Sequence, residues 1–199
     1  MNYRQAESWV SLTSNDHNRL KDILARLNSQ ICSSEDWPFL QRQHSFVLPA
    51  GTTKITNPIS GNIDIITING AEHRYTPNYK AFVLNSPIAG YYSTYGGYIY
   101  LPAYNENHEC EILYNSDNSA VSVGKTEKKY LENEDDESLI PEVFQEPLLV
   151  YGACMRLKSN PDHNKFKYWY SMYNNALGIM RAKTELTKGA SAKISLERG

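Results

Sequence analysis

The chain has 199 residues, enough for one sizeable core, and its 41% hydrophobic and 21% charged content is that of a folded globular protein rather than a disordered one. A net charge of −2 gives the whole molecule no long-range attraction for nucleic acid. No run approaches the about eighteen consecutive apolar residues of a membrane span, the densest, Leu148 to Met155, being short.

Met1 is followed by the polar stretch Asn2 to Glu7, which lacks the basic start and apolar core of a secretory signal, so a protein made and used in cytosol is expected. From Asn18 to Ile31, Leu20, Ile23, Leu24, Leu27 and Ile31 recur at steps of three and four, the mark of a helix with one buried stripe. Ser14, Asn15 and Asp16 can accept the free amide hydrogens of its first turn, and its end is expected between Cys32 and Asp36.

Between Phe46 and Val123 the pattern changes to short alternating or β-branched runs bounded by Gly, Pro and Asn. Strands are predicted at His44 to Leu48, Ile63 to Ile68, Ala81 to Leu84, Tyr98 to Leu101 and Cys110 to Tyr114. Ile55 to Ile59 carries Pro58 and reads poorly as a strand. Asn69-Gly70 and Gly96-Gly97 supply positive φ at little cost, and the second pair predicts a hairpin into Tyr98-Ile99-Tyr100-Leu101.

Helix is predicted again from Ile140-Pro141-Glu142, with Pro147 forcing a kink or a later start. A break follows at Ser159 to Asp162. Phe166, Trp169, Tyr170, Tyr173, Leu177 and Met180 then continue at helical spacing, which predicts an antiparallel helix pair. The expected fold is α+β, a helical body (N-terminal helix plus C-terminal antiparallel helix pair) with an inserted antiparallel β module. The boundaries so drawn are 1–42 and 131–187 for the body, 43–130 for the module and 188–199 for a mobile basic tail.

Charge is unevenly spread: from Arg156 onward nine Lys or Arg stand against three acids, while Glu132, Glu134, Asp135, Asp136 and Glu137 form an acidic run. Both segments read either as solvated surface or as complementary charge between neighbouring subunits. On the second reading Glu134, Asp135, Asp136, Lys188, Lys193 and Arg198 are the candidate assembly interface.

The chemistry-bearing motifs of the sequence are near misses. Val123-Gly124-Lys125-Thr126 has the end of a phosphate-binding loop, but Ser119 stands where its first glycine belongs and no helix pattern follows. His108 and Cys110 offer two metal ligands without a second pair. His17, His44, His73, His108 and His163 lie in unrelated contexts, and the carboxylates of Glu132 to Glu137 lack the apolar surroundings that would raise one pKa. Cys32, Cys110 and Cys154, odd in number and widely separated, fit buried thiols rather than a disulfide framework. The expectation is a non-enzyme with no cofactor and no metal.

The unusual feature of the composition is its fifteen tyrosines. They read as half-buried strand packing, with Tyr98 and Tyr100 on one face and Ile99 on the other. The alternative is a carbohydrate or cell-surface binding module, with Tyr91, Tyr92, Tyr95, Tyr98 and Tyr100 stacking on sugar rings.

The order of several segments, from about Asn15 to Lys183, resembles the head-to-tail adaptor proteins of short-tailed bacteriophages. The segments are Asp36-Trp37-Pro38-Phe39-Leu40 after the first helix and Phe46-Val47-Leu48-Pro49-Ala50-Gly51-Thr52 with Ile63-Asp64-Ile65-Ile66-Thr67-Ile68. Then come Ser86-Pro87 through Tyr91-Tyr92 to Gly97-Tyr98-Ile99-Tyr100-Leu101-Pro102, and finally Ile140-Pro141-Glu142-Val143-Phe144 with Leu148-Leu149-Val150-Tyr151-Gly152-Ala153-Cys154. The resemblance implies a structural virion protein forming the connector ring at the head-tail neck. Identical subunits, commonly a dodecamer, would dock on the portal and receive the tail or nozzle protein, with packaged DNA passing non-specifically through the centre and no membrane involved. It also implies assembly in host cytoplasm, with the acidic run and basic tail becoming ordered on docking.

Overall fold

The computed structural model describes residues 3–9, 17–84, 89–157 and 165–196. The expected cap at Ser14, Asn15 and Asp16, the pair Ser86-Pro87, the break at Ser159 to Asp162 and Arg198 lie outside these. The chain divides into two compact units, one built from Met1–Leu40 and Asp117–Gly199, the other from Gln41–Ser116.

The first unit begins with α1 (Tyr3–Trp9) and α2 (His17–Cys32). Leu20, Leu24, Leu27 and Ile31 of α2 form the predicted buried stripe, and Ile23 packs at its margin. The helix stops where its terminal carbonyls find other donors: Ser34 Oγ donates to the Ile31 carbonyl at 2.8 Å and the Trp37 indole Nε1 donates to the same oxygen at 2.7 Å. Trp37 is fully buried and lies 5.9 Å from the Phe39 ring, so one side chain both ends the helix and fills the core. A 3-10 turn, Pro38–Leu40, leads out of this unit.

The chain returns through three short strands, β8 (Ala120–Val121), β9 (Glu127–Lys128) and β10 (Glu137–Ser138), paired antiparallel in the order β10-β8-β9. Gly124 and Lys125 belong to the turn between β8 and β9, where Lys125 has φ +61°, so the phosphate-loop-like segment is a hairpin. Helix α4 (Glu142–Gln145) starts directly after Pro141. Pro147 is absorbed in a π-helical turn, Glu146–Val150, which accommodates the missing N–H between α4 and α5 (Tyr151–Leu157). Helix α6 spans Phe166–Leu196 and so includes Lys188 and Lys193. Its share of the hydrophobic core begins at Tyr173 and continues through Ala176, Leu177 and Met180, whereas Tyr170, placed on the predicted stripe, is 57% exposed.

Gly152 marks where α2, α5 and α6 meet. A Cβ there would lie 2.6 Å from Leu27 Cδ2 and 3.2 Å from the Tyr173 ring, so the residue must be small for the helices to approach. A buried polar network ties the same unit together. Asn28 Nδ2 donates to the Ser119 carbonyl at 2.7 Å, and its Oδ1 accepts from Ser138 Oγ at 2.6 Å. Gln145 Nε2 donates to the carbonyls of Ser138 and Ile140. The three-stranded sheet is thereby joined to α2 and α4 by satisfied polar groups.

The second unit is a seven-stranded sheet in the order β1-β7-β3-β4-β5-β6-β2. Its strands are β1 (Gln41–Leu48), β2 (Lys54–Thr56), β3 (Gly61–Ile68), β4 (Ala71–Tyr75), β5 (Tyr91–Tyr95), β6 (Tyr98–Tyr100) and β7 (His108–Ser116). Leu48, Ile66, Ile68, Tyr92, Ile99, Leu101, Cys110 and Ile112 form its core. Alternation along β7 puts Cys110 and Ile112 inside and Glu109 and Glu111 outside, the period of a sheet with one buried face. Asn69-Gly70 (φ +47° and +75°) joins β3 to β4, and Gly96-Gly97 (φ +60° and +80°) makes the predicted hairpin of β5 and β6.

The fold expectation requires correction. Among the described residues there are ten strands, and the fold is β-rich, dominated by a seven-stranded sheet rather than by a helical body with a small inserted module. Strand structure also continues beyond the large sheet, in β8, β9 and β10. Nor is the large sheet wholly antiparallel, because β4 and β5 run parallel. The link between them contains α3 (Tyr79–Val83), a short helix that occupies most of the predicted strand Ala81 to Leu84. The aromatic and β-branched content of Tyr79-Lys80-Ala81-Phe82-Val83 favours a strand locally, and the need for a crossover between parallel strands overrides it.

Candidate assembly surfaces and a groove on the sheet

The acidic run is organised by one of its own members. Asp136 is 2% exposed, and its carboxylate accepts the backbone N–H of Glu132 at 2.9 Å and of Asn133 at 2.8 Å, with Lys128 Nζ at 3.2 Å. Burial by itself would raise this carboxyl; the two N–H donors and the ammonium outweigh it and hold the group below its ordinary range. Glu134 and Asp135 are left on the outside of the turn, where Arg4 of α1 approaches them at 3.4 Å and 4.0 Å. The structure therefore brings Glu134 and Asp135 to one exposed point and spends Asp136 inside the chain. Lys188 and Lys193 lie on the last turns of α6, and Arg198 is outside the described residues.

A second exposed region of the same unit escaped the sequence reading. Gln5 and Trp9 of α1 with Glu142, Gln145 and Glu146 line a depression of about 300 Å³. Trp9 is 59% exposed and the adjacent Val143 68% exposed, an aromatic and an aliphatic side chain beside two carboxylates. The sequence signal was weak because a lone tryptophan in a seven-residue helix reads as core.

In the second unit the tyrosines offered for stacking on sugar rings, Tyr91, Tyr92, Tyr95, Tyr98 and Tyr100, are not all brought to one face. Tyr98 and Tyr100 lie on one face with Lys54, whose Nζ is 3.8 Å and 5.8 Å from their ring centroids, while Ile99 faces the core. Tyr95 is stacked on Tyr79 of α3 with centroids 4.1 Å apart. Tyr92 faces elsewhere. With Tyr75, Asn57, Asn62, Asp64 and Thr94 it lines a groove of about 360 Å³. Tyr75 is 53% exposed, and its ring meets Tyr92 edge-on at 5.7 Å. Burial, then the neighbouring Tyr75 and Asp64, push the Tyr92 hydroxyl up to about 12, so it keeps its proton at any ordinary pH. Asp64 is the extra residue at the bulge between Ile63 and Ile65, where the β3 to β7 register shifts, and bulges re-aim side chains in this way.

Other near misses are occupied by packing. His73 donates from Nδ1 to the Ala71 carbonyl at 3.0 Å, and its Nε2 is hydrogen-bonded to the Tyr104 hydroxyl at 2.7 Å. His108 bonds Asn69 and sits edge-on to Tyr104. Cys32 and Cys110 are buried and Cys154 is half-buried, all as free thiols. Among the described residues no group of three or more His, Cys, Asp or Glu could hold a metal ion, and no helix is long and apolar enough to cross a membrane.

These features define surfaces and one groove on a folded scaffold. Compared with known families, the chain matches the SU10 adaptor protein family over residues 4–193, nearly its whole length, and it belongs to that family. It is accordingly a phage adaptor, a structural component of the virion. No curated protein matches it.

Proposed function

We propose that the protein forms the ring that joins the phage head to the tail, docking on the portal above and receiving the tail or nozzle protein below, with DNA passing through the centre. The observation that carries this reading is the family match across residues 4–193. On this reading the protein is a scaffold rather than an enzyme, and its function lies in its surfaces. A contact between unlike patches, repeated about an axis, closes into a ring only at the right rotation, and an assembled portal templates that closure. The exposed carboxylates Glu134 and Asp135 of one subunit supply one sign of charge. Lys188, Lys193 and Arg198 of a neighbour supply the other, fixing orientation more than adding affinity. Asp136 shapes the acidic turn from within.

Deleting Lys188 to Gly199 tests the role of the basic end. The expected outcome is a chain that keeps its cooperative unfolding transition and fails to assemble, with loss of infectious particles. Normal virion yield from the truncated protein would refute the assignment.

A further inference from the structure

The groove on the seven-stranded sheet has a lining that the adaptor reading does not use. Six of its residues divide by chemistry. Tyr75 offers a half-exposed ring braced by Tyr92 at 5.7 Å, and Asn57, Asn62, Asp64 and Thr94 offer planar amides, a carboxylate and a hydroxyl. Asn57 is held by its own turn, its Oδ1 accepting the Ile59 N–H at 3.2 Å. Asp64 reaches the groove because the bulge takes it out of the β3 to β7 ladder.

We infer that this groove binds a neutral saccharide. Among the described residues no Lys or Arg lines it and a carboxylate does, so anionic ligands are disfavoured. One carboxylate among neutral amides and hydroxyls carries too little negative charge for a dedicated divalent-cation site. A pyranose ring matches what remains: its C–H face stacks on an exposed aromatic ring, and its vicinal hydroxyls bond planar amide and carboxylate groups. A volume of about 360 Å³ lies within the range of small-ligand sites and accommodates a short saccharide. The strand architecture explains the convergence. Tyr75 ends β4 and Tyr92 pairs with it across the parallel β4 to β5 contact, so this junction sets the two rings side by side.

The test is a titration of the purified full-length chain, followed by NMR, with maltose, cellobiose, lactose and chitobiose, and with adenosine as an aromatic ligand lacking a pyranose. Saturable shifts with at least one disaccharide are expected, in the millimolar range. Tyr75→Ala should weaken that affinity roughly five- to tenfold, and Asp64→Asn should weaken it while leaving the stack in place. Tyr98→Ala, on the other face, should leave it unchanged. Tyr75 and Asp64 are both exposed, so neither change threatens the core, and an unaltered thermal transition checks this. Binding of none of the four sugars, binding of adenosine alone, or sugar binding indifferent to both groove substitutions overturns the inference. None of these outcomes depends on ring assembly, so the adaptor reading stands or falls separately.

Discussion

Lys128 Nζ stands 3.2 Å from Asp136 Oδ2 across a turn whose backbone N–H groups at Glu132 and Asn133 point at the same oxygen. One buried carboxylate thus turns a run of like charges into a defined loop and leaves Glu134 and Asp135 outside. Asp136→Asn removes the charge from this cluster and is expected to destabilise the unit by about 2 kcal/mol at neutral pH. The Asp136 pKa is depressed in the folded state, so its contribution is fully present above the ordinary value of 3.8 and is lost as pH falls through the lower folded value. Denaturant titrations of both proteins should show a gap at pH 7 that closes below pH 3.8; a gap constant with pH would contradict this account.

Gly152→Ala sets two effects against each other. Helix propensity favours alanine by about 1 kcal/mol, while the added methyl would lie 2.6 Å from Leu27 Cδ2 in a core where Leu27 is 1% exposed. Overpacking of about 1–3 kcal/mol is expected to win. Leu27→Ala in the same chain should relieve the overlap, so the double variant should lose less stability than the two single losses added together.

Asn28→Leu should remove the donors to Ser119 and the acceptor for Ser138 without vacating much volume. A loss of about 1–3 kcal/mol is expected because buried partners are left unsatisfied. Hydrogen exchange should quicken in β8 and β10 before it does in the seven-stranded sheet.

Burial pushes the Cys32 thiol up to about 12 and the Cys110 thiol to about 11, and raises Cys154 as well. At neutral pH almost no thiolate is present at the two buried positions, so a thiol reagent should modify Cys154 first. Cys32 and Cys110 should react only at the rate of unfolding, as mass spectrometry of the labelled native chain would show.

What the sequence disclosed and what it hid follow from the range of the signals involved. The stripe Leu20, Leu24, Leu27, Ile31 is periodic over twelve residues of a sixteen-residue helix and was legible, as were Asn69-Gly70 and Gly96-Gly97, whose turns depend on local backbone freedom. Strands β8, β9 and β10 are two residues long, too short for any period to show. Helix α3 carries strand-forming residues and is helical because of the parallel crossover around it. The burial of Asp136 within an acidic run is a tertiary fact, since Asp135 beside it is exposed. The groove joins Asn57, Asp64, Tyr75 and Tyr92 across four segments, and the bulge that delivers Asp64 leaves no mark in a run of Ile and Thr.

The central claim is the adaptor ring on the portal, and it is tested most directly by electron microscopy of the purified chain with and without purified phage portal. Rings seated on the portal, absent from the chain alone, are the expected result and would give the subunit number. A chain that stays unassociated in the presence of portal would contradict the account.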